Sequence, residues 1–395
     1  MKKKNYILFT KKEFPKNTKN ISHQLMIRAG MIEKISSGIY TWLPNGIRVL
    51  NKVKKIIHTE MKKNNVIEIN MPILQSSKFF KTSKRIKLYG NELFKTKDRN
   101  NKIFILSPTH EEIITTLIKN KIKSYKELPI ILYQIQTKFR DEIRPRSGIL
   151  RAREFIMKDA YSFHINKKSL QKTYFKIYAA YIKIFNSMNL NVKIKPAKNG
   201  IIGGSISHEF HVQYKKNNQK NHSKNKQKKS IEIAHIFQLN KTYSKLFDLF
   251  VYNKKKQKKT LEMGCYGIGV TRLIGAIIEN NCDEKGIIWP MQIAPFHVSI
   301  IPINFQKDIL VKKTSKKIYK KLIKNNIDVL FYNTKNQPGI MFTETDLLGI
   351  PYKIIISKKT LLNQCVELQN RKNSIKKMIK IKKISYIILK KIKIF

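Results

Sequence analysis

Apolar and polar side chains alternate along two neighbouring runs between residues 131 and 164. A period of two predicts β-strands, and the polar residues between the two runs predict a hairpin. One face of the first strand carries the polar side chains of Gln134, Gln136, Lys138, Arg140 and Glu142. The corresponding face of the second strand carries Arg151, Arg153, Phe155, Met157 and Asp159. If the two faces coincide, these side chains share one surface of the hairpin.

That shared surface would hold guanidinium groups, a carboxylate and an aromatic ring. Guanidinium forks bind phosphates, a flat ring stacks on a base, and a carboxylate accepts a hydrogen bond from an exocyclic amine. The pattern therefore favours a nucleotide site. The alternative is an exposed amphipathic hairpin on the solvent face of an ordinary sheet.

Helical spacing of apolar residues predicts three helices outside the hairpin, at 23–35, 45–64 and 168–186. The run VIEINMPIL, which follows the second of these, is typical of a strand and has Pro72 inside it. Because proline has no amide hydrogen, this strand lies at an edge of its sheet. The edge either faces a second subunit or is a plain edge strand.

A second candidate site is the segment SPTHEE, residues 107–112, which precedes an apolar helical run. Thr109 and Glu112 have the spacing of a capping box, which would explain both residues without a functional role. Acidic residues also suit the positive end of a helix dipole. His110 and Glu111 are the residues that the capping box does not explain.

Residues 263–281 predict a glycine-rich strand that runs into a helix. The buried stripe of this helix is Val270, Leu273, Ile274, Ile277 and Ile278. Arg272 lies in the first turn, where the helix dipole disfavours a cation unless an anion is nearby. The spacing matches neither GxGxxG nor a Walker sequence, which excludes dinucleotide-binding and P-loop folds. The alternative is a packed strand–helix corner with an exposed arginine.

Between these motifs, the segment GGSISHEFHV, residues 203–212, contains His208 and Glu209. The histidines at 208 and 211 lack the i, i+4 spacing of a helical metal pair, so the sequence predicts no metal site there. Residues 214–229 are polar and without apolar periodicity, which predicts a flexible surface loop. From His297 onward, strands alternate with helices over about 100 residues, which predicts a separate parallel or mixed α/β domain for binding.

Composition adds a formal net charge of +56 on 395 residues, with a hydrophobic content of 42% that is typical of a globular chain. Such basicity suits a nucleic-acid partner, although drift in an A+T-rich genome would also enrich lysine, asparagine and isoleucine. Three scattered cysteines without a CxxC pair argue against zinc and disulfides, and indicate a reducing compartment. No apolar run approaches the roughly 20 residues of a membrane span. We therefore expect a cytoplasmic protein.

The order of these motifs resembles class II aminoacyl-tRNA synthetases, and the finer match is to prolyl-tRNA synthetases of the bacterial type. FRDE at 139–142, with its downstream arginine and Phe155, is similar to motif 2 of the class. GIGVTR at 267–272 is similar to motif 3. The other similar segments cover nearly the whole chain: ISHQLMIRAGMI, SGIYTWLPNG, SPTHEE, REFIMKDAYSFH, GGSISHEF, IAHIFQL, MGCYGIGVTR, DEKGIIWP and PGIMFTETDLLGIP.

The resemblance implies an α+β catalytic domain, in which an antiparallel sheet is flanked by helices. Its two parts would be residues 1–213 and 230–292, joined by the Lys/Asn-rich linker 214–229. An α/β anticodon-binding domain would follow at 293–395. The resemblance also implies a homodimer built around Pro72, and it names tRNA(Pro), L-proline, ATP and Mg²⁺ as partners.

The implied activity is ATP-dependent conversion of proline to prolyl-adenylate, followed by transfer to the 3′ end of tRNA(Pro). The resemblance assigns ATP binding to Arg140, Glu142, Arg151, Phe155 and Arg272, with Arg140 and Arg272 as catalytic residues. It assigns proline binding to Thr109, Glu111, Arg140, His208, Phe210 and Cys265. It leaves the protein ligands of Mg²⁺ unassigned.

The chain departs from the family pattern at three places. The loop 214–229 stands where the family usually carries a large editing domain, which predicts no cis editing of alanyl-tRNA(Pro). Ser147 occupies a motif 2 loop position that is usually aromatic, and the run before Pro338 is less charged than in the family. The alternative function is a catalytically inactive, synthetase-like tRNA-binding protein. The presence of Arg140 and Phe155 favours the active enzyme.

Overall fold

The computed structural model describes residues 1–15, 18, 20–145, 147–214, 229–335 and 337–393. The helices are α1 (Ile21–Arg28), α2 (Pro44–Lys63), α3 (Ser77–Thr82), α4 (Arg85–Tyr89), α5 (Glu111–Lys121), α6 (Lys167–Ser187), α7 (Thr242–Leu246), α8 (Val270–Asn280), α9 (Ile309–Lys324), α10 (Pro338–Leu347), α11 (Lys358–Leu362) and α12 (Ile384–Lys393). The loop predicted at 214–229 lies, apart from its first and last residues, outside the described residues.

The strands of the first three hundred residues are β1 (Ile32–Ser36), β2 (Ile39–Trp42), β3 (Ile67–Glu68), β4 (Leu74–Ser76), β5 (Lys95–Lys97), β6 (Ile103–Leu106), β7 (Ile130–Phe139), β8 (Glu154–His164), β9 (Val192–Pro196), β10 (Ile206–Tyr214), β11 (Lys229–Asn240), β12 (Phe250–Tyr252), β13 (Lys258–Thr260), β14 (Glu262–Gly269), β15 (Cys282–Asp283) and β16 (Gly286–Ile287). The remaining strands are β17 (Val298–Pro302), β18 (Val329–Phe331), β19 (Tyr352–Ile356), β20 (Cys365–Asn370) and β21 (Lys376–Lys380).

Seven strands form the large sheet, in the order β3-β7-β8-β14-β11-β10-β9. Neighbouring strands pair antiparallel except β3 and β7, which are parallel. Helices α2, α6 and α8 bury the largest apolar core against one face, and α5 and α7 pack on the other. The predicted catalytic fold, an antiparallel sheet flanked by helices, is confirmed.

The predicted hairpin is the pair β7 and β8, in which Lys138 stands opposite Phe155. This register brings the two polar faces together, as the alternation predicts. The position predicted for Arg151 is wrong, because the second strand begins only at Glu154. Arg151 instead ends a 3-10 turn, Gly148–Arg151, so it approaches the hairpin from the connecting loop.

The helix predicted at 23–35 is shorter than its apolar spacing suggests. It ends at Arg28, and β1 begins at Ile32. Gly30 ends the helix because its φ is +59°, and an added Cβ there would lie 2.1 Å from the carbonyl oxygen of Leu8. The other two predicted helices are confirmed as α2 and α6.

The strand predicted around Pro72 is wrong as one continuous element. Two short strands, β3 and β4, take its place, and exposed Pro72 lies in the connection between them. β4 joins a separate sheet of order β4-β6-β5 rather than the large sheet. Because proline cannot donate to a ladder, it marks the point where the chain leaves one sheet for the other.

The C-terminal sheet has the order β18-β17-β19-β20-β21. Its first three strands are parallel and the last two pairings are antiparallel, which confirms the predicted mixed α/β domain. The first residues of the chain belong to this unit rather than to the catalytic one. Lys2 forms a bridge with Phe331, and the Met1 amino group donates to the carbonyl oxygen of Val329 at 2.6 Å. These first two residues thus contact the C-terminal sheet, although the predicted catalytic domain of 1–213 includes them.

A buried arginine joins the catalytic unit to the C-terminal sheet. The two terminal nitrogens of Arg371 donate to the two carboxylate oxygens of Asp283 at 2.7 and 2.6 Å. Its Nε donates to the backbone carbonyl of Asp346, whose carboxylate also pairs with Lys353 at 2.6 Å. One guanidinium thus holds the β15–β16 hairpin against α10.

Among the described residues, we find no helix with both the length and the apolar character that a bilayer crossing requires.

Candidate active site

A cavity of about 200 Å³ lies where the β7–β8 hairpin, β11, β14 and the start of α8 meet. Seven of the predicted substrate-binding residues line it: Thr109, Glu111, Arg140, Glu142, Phe155, Cys265 and Arg272. These residues come from four separate segments of the sequence, and the fold brings them to one place. Their roles toward substrates stay predictions, which we take up below.

Glu111 is a fully buried carboxylate of this cavity. Thr109 Oγ1 donates to its Oε2 at 2.7 Å, and the thiol of Cys265 donates to its Oε1 at 3.4 Å. Arg85 Nη1 donates to the same Oε2 at 3.0 Å. A buried anion with these partners is suited to a cationic amine, because the weakly bound thiol leaves Oε1 able to accept a stronger donor.

The capping-box explanation of Thr109 and Glu112 is wrong. The helix begins at Glu111, and Thr109 uses its hydroxyl on Glu111 rather than on a backbone amide. Glu112 turns away to accept from Ser83 at 2.8 Å and from Arg85 at 3.0 Å. Arg85 thus serves two buried glutamates, and sequence reasoning missed it, because its segment looks like any other basic stretch.

The pKa values of the two glutamates around Arg85 shift in opposite directions. Burial raises the pKa of both, but for Glu111 the Arg85 guanidinium and the hydrogen bonds from Thr109 and Arg85 outweigh it and hold the pKa below its ordinary value. For Glu112, burial reinforced by the charge of Glu111 wins over Arg85 and raises the pKa. The ionised form is therefore favoured more strongly at Glu111, the member of the pair that lines the cavity, than at Glu112.

Arg140 and Phe155 form the part of the cavity that is suited to a nucleotide. The Arg140 guanidinium lies 5.4 Å from the centre of the Phe155 ring. Its Nη2 makes a long contact of 3.4 Å with the carbonyl oxygen of Pro108. Its buried Nε has no hydrogen-bond partner among the residues that the structure describes. Arg140 therefore keeps donors available for an anionic ligand.

Glu142 accepts a 2.7 Å hydrogen bond from Arg151 Nε. Glu142 lines the cavity, whereas Arg151 is exposed and is not among the cavity-lining residues. The turn that carries Arg151 follows Ser147, whose left-handed φ of +73° sharpens the loop. The predicted contact of Arg151 with ATP would thus require the ligand to extend out of the cavity.

Arg272 is held at the cavity by two backbone carbonyls. Its Nε donates to Leu150 at 3.1 Å, and its Nη1 donates to Glu232 at 3.1 Å. The carboxylate of Glu232 lies 4.0 Å away. The predicted buried stripe of α8 is confirmed, and the partly exposed Arg272 on its first turn lines the cavity.

The structure does not bring the predicted proline-binding residues His208 and Phe210 into this cavity, and their roles stay predictions. Neither side chain is among those lining the cavity. His208 Nδ1 lies 2.6 Å from the Tyr174 hydroxyl, and the fully buried Phe210 ring packs on Tyr181 and Phe185 of α6. Alternate residues of a strand point to opposite faces, so these two belong to the helical core behind the sheet.

A cluster of possible metal ligands lies beside Arg272, and sequence reasoning missed it. One ligand atom from each of Glu209, Glu232 and His235 lies within 4.8 Å of the others. His211 Nε2 also lies 2.7 Å from Glu209 Oε2. The prediction of no metal site used only the spacing of histidines within one segment. In the structure, the pairing of β10 with β11 brings ligand groups from two strands together.

The fold and the cavity define the class II aminoacyl-tRNA synthetase core. The model of the tRNA synthetase class II core domain (G, H, P, S and T) matches residues 94–281, and that of the anticodon binding domain matches residues 297–391. The proline–tRNA ligase of Buchnera aphidicola subsp. Schizaphis graminum is 37% identical to this chain, over 99% of this chain and 100% of that protein. The proline–tRNA ligase of Buchnera aphidicola subsp. Baizongia pistaciae is 38% identical, over 96% of this chain and 97% of that protein. The chain belongs to the proline–tRNA ligase family.

Solved structures agree on the fold. Prolyl-tRNA synthetase from Cryptosporidium parvum, complexed with halofuginone and AMPPNP, superposes with a TM-score of 0.85 at 21% identity. The match covers 94% of this chain and 76% of that one. The same enzyme complexed with L-proline and AMP gives a TM-score of 0.84 over 95% of this chain and 75% of that one, again at 21% identity.

The alignment with the ligase of Buchnera aphidicola subsp. Schizaphis graminum also shows that this chain is shorter internally. It runs over 568 positions, at least 173 more than the 395 residues of this chain. Because nearly all of both proteins is covered, the extra positions are segments of the relative that this chain lacks. This difference in length agrees with the missing insertion that the sequence predicts.

Proposed function

We propose that this protein is a proline–tRNA ligase, which activates L-proline with ATP and transfers it to tRNA(Pro). The observation that carries the proposal is the composition of one cavity. It combines a buried, ionised glutamate with two arginines and an aromatic ring. A cationic amine, a carboxylate and a nucleotide triphosphate are the groups that such a cavity would hold together.

The contacts described above and the family resemblance together support the following roles. Glu111 and Thr109 accept the hydrogens of the proline ring nitrogen, with Cys265 beside them. Arg140 holds the proline carboxylate and the α-phosphate, and Phe155 stacks on the adenine. Glu142 accepts from the adenine amine.

The first step needs no strong base, because the nucleophile is already an anion. A proline carboxylate oxygen bonds to the α-phosphorus while the bond to the β-phosphate oxygen breaks, so pyrophosphate leaves and prolyl-adenylate remains. A terminal ribose hydroxyl of tRNA(Pro) then attacks the prolyl carbonyl and releases AMP and a proton. Arg140 and Arg272 contribute by positioning the reactants and neutralising charge.

We propose that Mg²⁺ accompanies ATP at the cluster beside Arg272. The carboxylates of Glu209 and Glu232 are the hard oxygen ligands that this ion prefers. The fit rests on their convergence with His235 at the edge of the cavity. The ion would neutralise charge on the outer phosphates.

The remaining partners are proposed from the fold and the charge. We assign anticodon binding to residues 293–395, and the formal charge of +56 supports affinity for tRNA. We also propose a homodimer around the exposed Pro72 connection, which sedimentation of the purified protein would measure. A tRNA-charging role supports a cytoplasmic location.

Pyrophosphate exchange tests the activity directly. We expect ATP–pyrophosphate exchange that depends on proline and is far weaker with alanine or cysteine, because neither presents the ring that the cavity would enclose. Each amino acid is titrated separately with the purified protein. Exchange with none of them would favour the inactive tRNA-binding alternative.

We expect the protein not to hydrolyse alanyl-tRNA(Pro), because the family's editing domain is replaced by the short segment 214–229. Preformed alanyl-tRNA(Pro) is incubated with the enzyme, and the rate of alanine release is compared with the spontaneous rate. A relative that retains the insertion provides the positive control. Enzyme-dependent deacylation by this chain would contradict the expectation.

A further inference from the structure

Lys138 is a buried ammonium group that the proposed mechanism does not use. Its side chain is 0% exposed, and it lies on β7 two residues before Arg140. Its Nζ is 3.0 Å from Oδ1 of Asp159 and 2.6 Å from Nδ1 of His110. A buried charge is costly unless it is paired, so Lys138 depends on these two contacts.

The contact with Lys138 fixes the tautomer of His110. An ammonium can only donate, so Nδ1 of His110 is the acceptor and Nε2 carries the proton. That Nε2–H donates to the carbonyl oxygen of Pro72, 3.0 Å away. Burial, followed by the charge of Lys138, lowers the pKa of His110 to about 4, which agrees with a neutral ring.

Asp159 completes the network from the second strand of the hairpin. Its Oδ2 accepts from the Tyr161 hydroxyl at 2.9 Å and from Gln134 Nε2 at 3.0 Å. The Tyr161 oxygen in turn accepts from the backbone amide of His110 at 3.1 Å. Both the ring and the backbone of His110 are therefore held by groups of the hairpin.

His110 lies between Thr109 and Glu111 in the sequence, the two residues proposed to bind the proline nitrogen. We propose that Lys138 is a positioning residue for proline, which acts through His110 and Asp159 to fix the segment carrying Thr109 and Glu111 against the hairpin. This inference rests on the proposed function. It predicts that Lys138 affects recognition of the ring nitrogen without affecting ATP.

The test compares two buried lysines on the same hairpin. Lys138→Met removes the network's cation, whereas Lys158→Met removes an equally buried lysine whose Nζ contacts the Tyr181 hydroxyl at 2.8 Å on the helical side of the sheet. For each variant, pyrophosphate exchange gives the KM for proline and for ATP. Inhibition by tetrahydrofuran-2-carboxylate, which has an ether oxygen in place of the ring nitrogen, reports binding of the ring and carboxylate alone.

We expect Lys138→Met to raise the KM for proline about 10- to 100-fold. We expect the KM for ATP and the inhibition constant of the ether analogue to change by less than about twofold, because neither depends on a donor to Glu111. Lys158→Met should leave all three constants unchanged within about twofold. If Lys138 only stabilised the fold, its loss would lower the fraction of active protein. The KM for proline would then not change relative to the inhibition constant of the ether analogue.

A second variant covers the case in which the single change prevents folding. Lys138→Met/Asp159→Asn removes both charges and leaves no unpaired carboxylate. It should keep the raised KM for proline. A proline KM within twofold of the unchanged protein, or equal changes for proline, ATP and the ether analogue, would overturn the inference. Calorimetric titration with proline compares the affinities of the same variants without turnover. A protein that binds proline but does not catalyse exchange would contradict the proposed function and still allow this inference to be tested.

Discussion

Glu111→Gln is expected to lower kcat/KM for proline about 10- to 150-fold, while the KM for ATP changes little. The glutamine keeps the shape but loses the charge that a cationic ring nitrogen requires, and a hydrogen bond to a charged group contributes about 1.5–3 kcal/mol. Pyrophosphate exchange with proline and ATP varied in turn measures both constants.

Glu112→Gln is the matched control for this variant. Glu112 shares Arg85 with Glu111 and is equally buried, but it is not among the residues that line the cavity. We expect a loss of stability for this control and a nearly normal KM for proline. If both variants lose proline and ATP affinity together, the amine role of Glu111 is wrong.

Arg140→Leu is expected to reduce the rate of pyrophosphate exchange at least about 1,000-fold. Removing one preorganised donor to a developing charge typically costs about 10²–10³ in rate, and Arg140 is proposed to serve both the proline carboxylate and the α-phosphate. The expected loss appears in kcat and in the constants for both substrates.

Arg153→Leu provides the comparison for Arg140. Arg153 is also an arginine of the hairpin region, but it pairs with Asp141 at 3.0 Å and is not among the cavity-lining residues. Its loss should change exchange by less than about tenfold. Similar losses in the two variants would show that general basicity, rather than the position of Arg140, drives the reaction.

The hairpin could be predicted from the sequence because alternation fixes which side chains share a face. The same rule explains why His208 and Phe210 do not line the cavity, since a shift of one residue moves a side chain to the opposite face. The family resemblance identified the segment around His208 but not which of its residues face the cavity. The strand neighbours Ser207 and Glu209 lie on the opposite face of β10 from His208 and Phe210.

Local sequence patterns could not predict contacts between segments that are distant in the sequence. Arg85 lies in the run KTSKRIKLYG, and only the fold shows that it is buried against Glu111. The cluster of Glu209, Glu232 and His235 likewise depends on strand pairing across residues that are remote in sequence. Spacing rules detect ligands on one element, so they miss a site built from two.

The contact of Arg371 with Asp283 limits the replacement of arginine by lysine in this lysine-rich chain. Of its 81 basic residues only eleven are arginine, so the background strongly favours lysine. Lysine offers one compact charge, whereas Arg371 donates from three nitrogens in fixed directions to two different residues. Exchange to lysine would thus keep the charge and lose the paired hydrogen bonds to Asp283, which are one of the contacts between the catalytic unit and the C-terminal sheet. In such a background, an arginine with several partners marks a position where geometry, and not charge alone, is required.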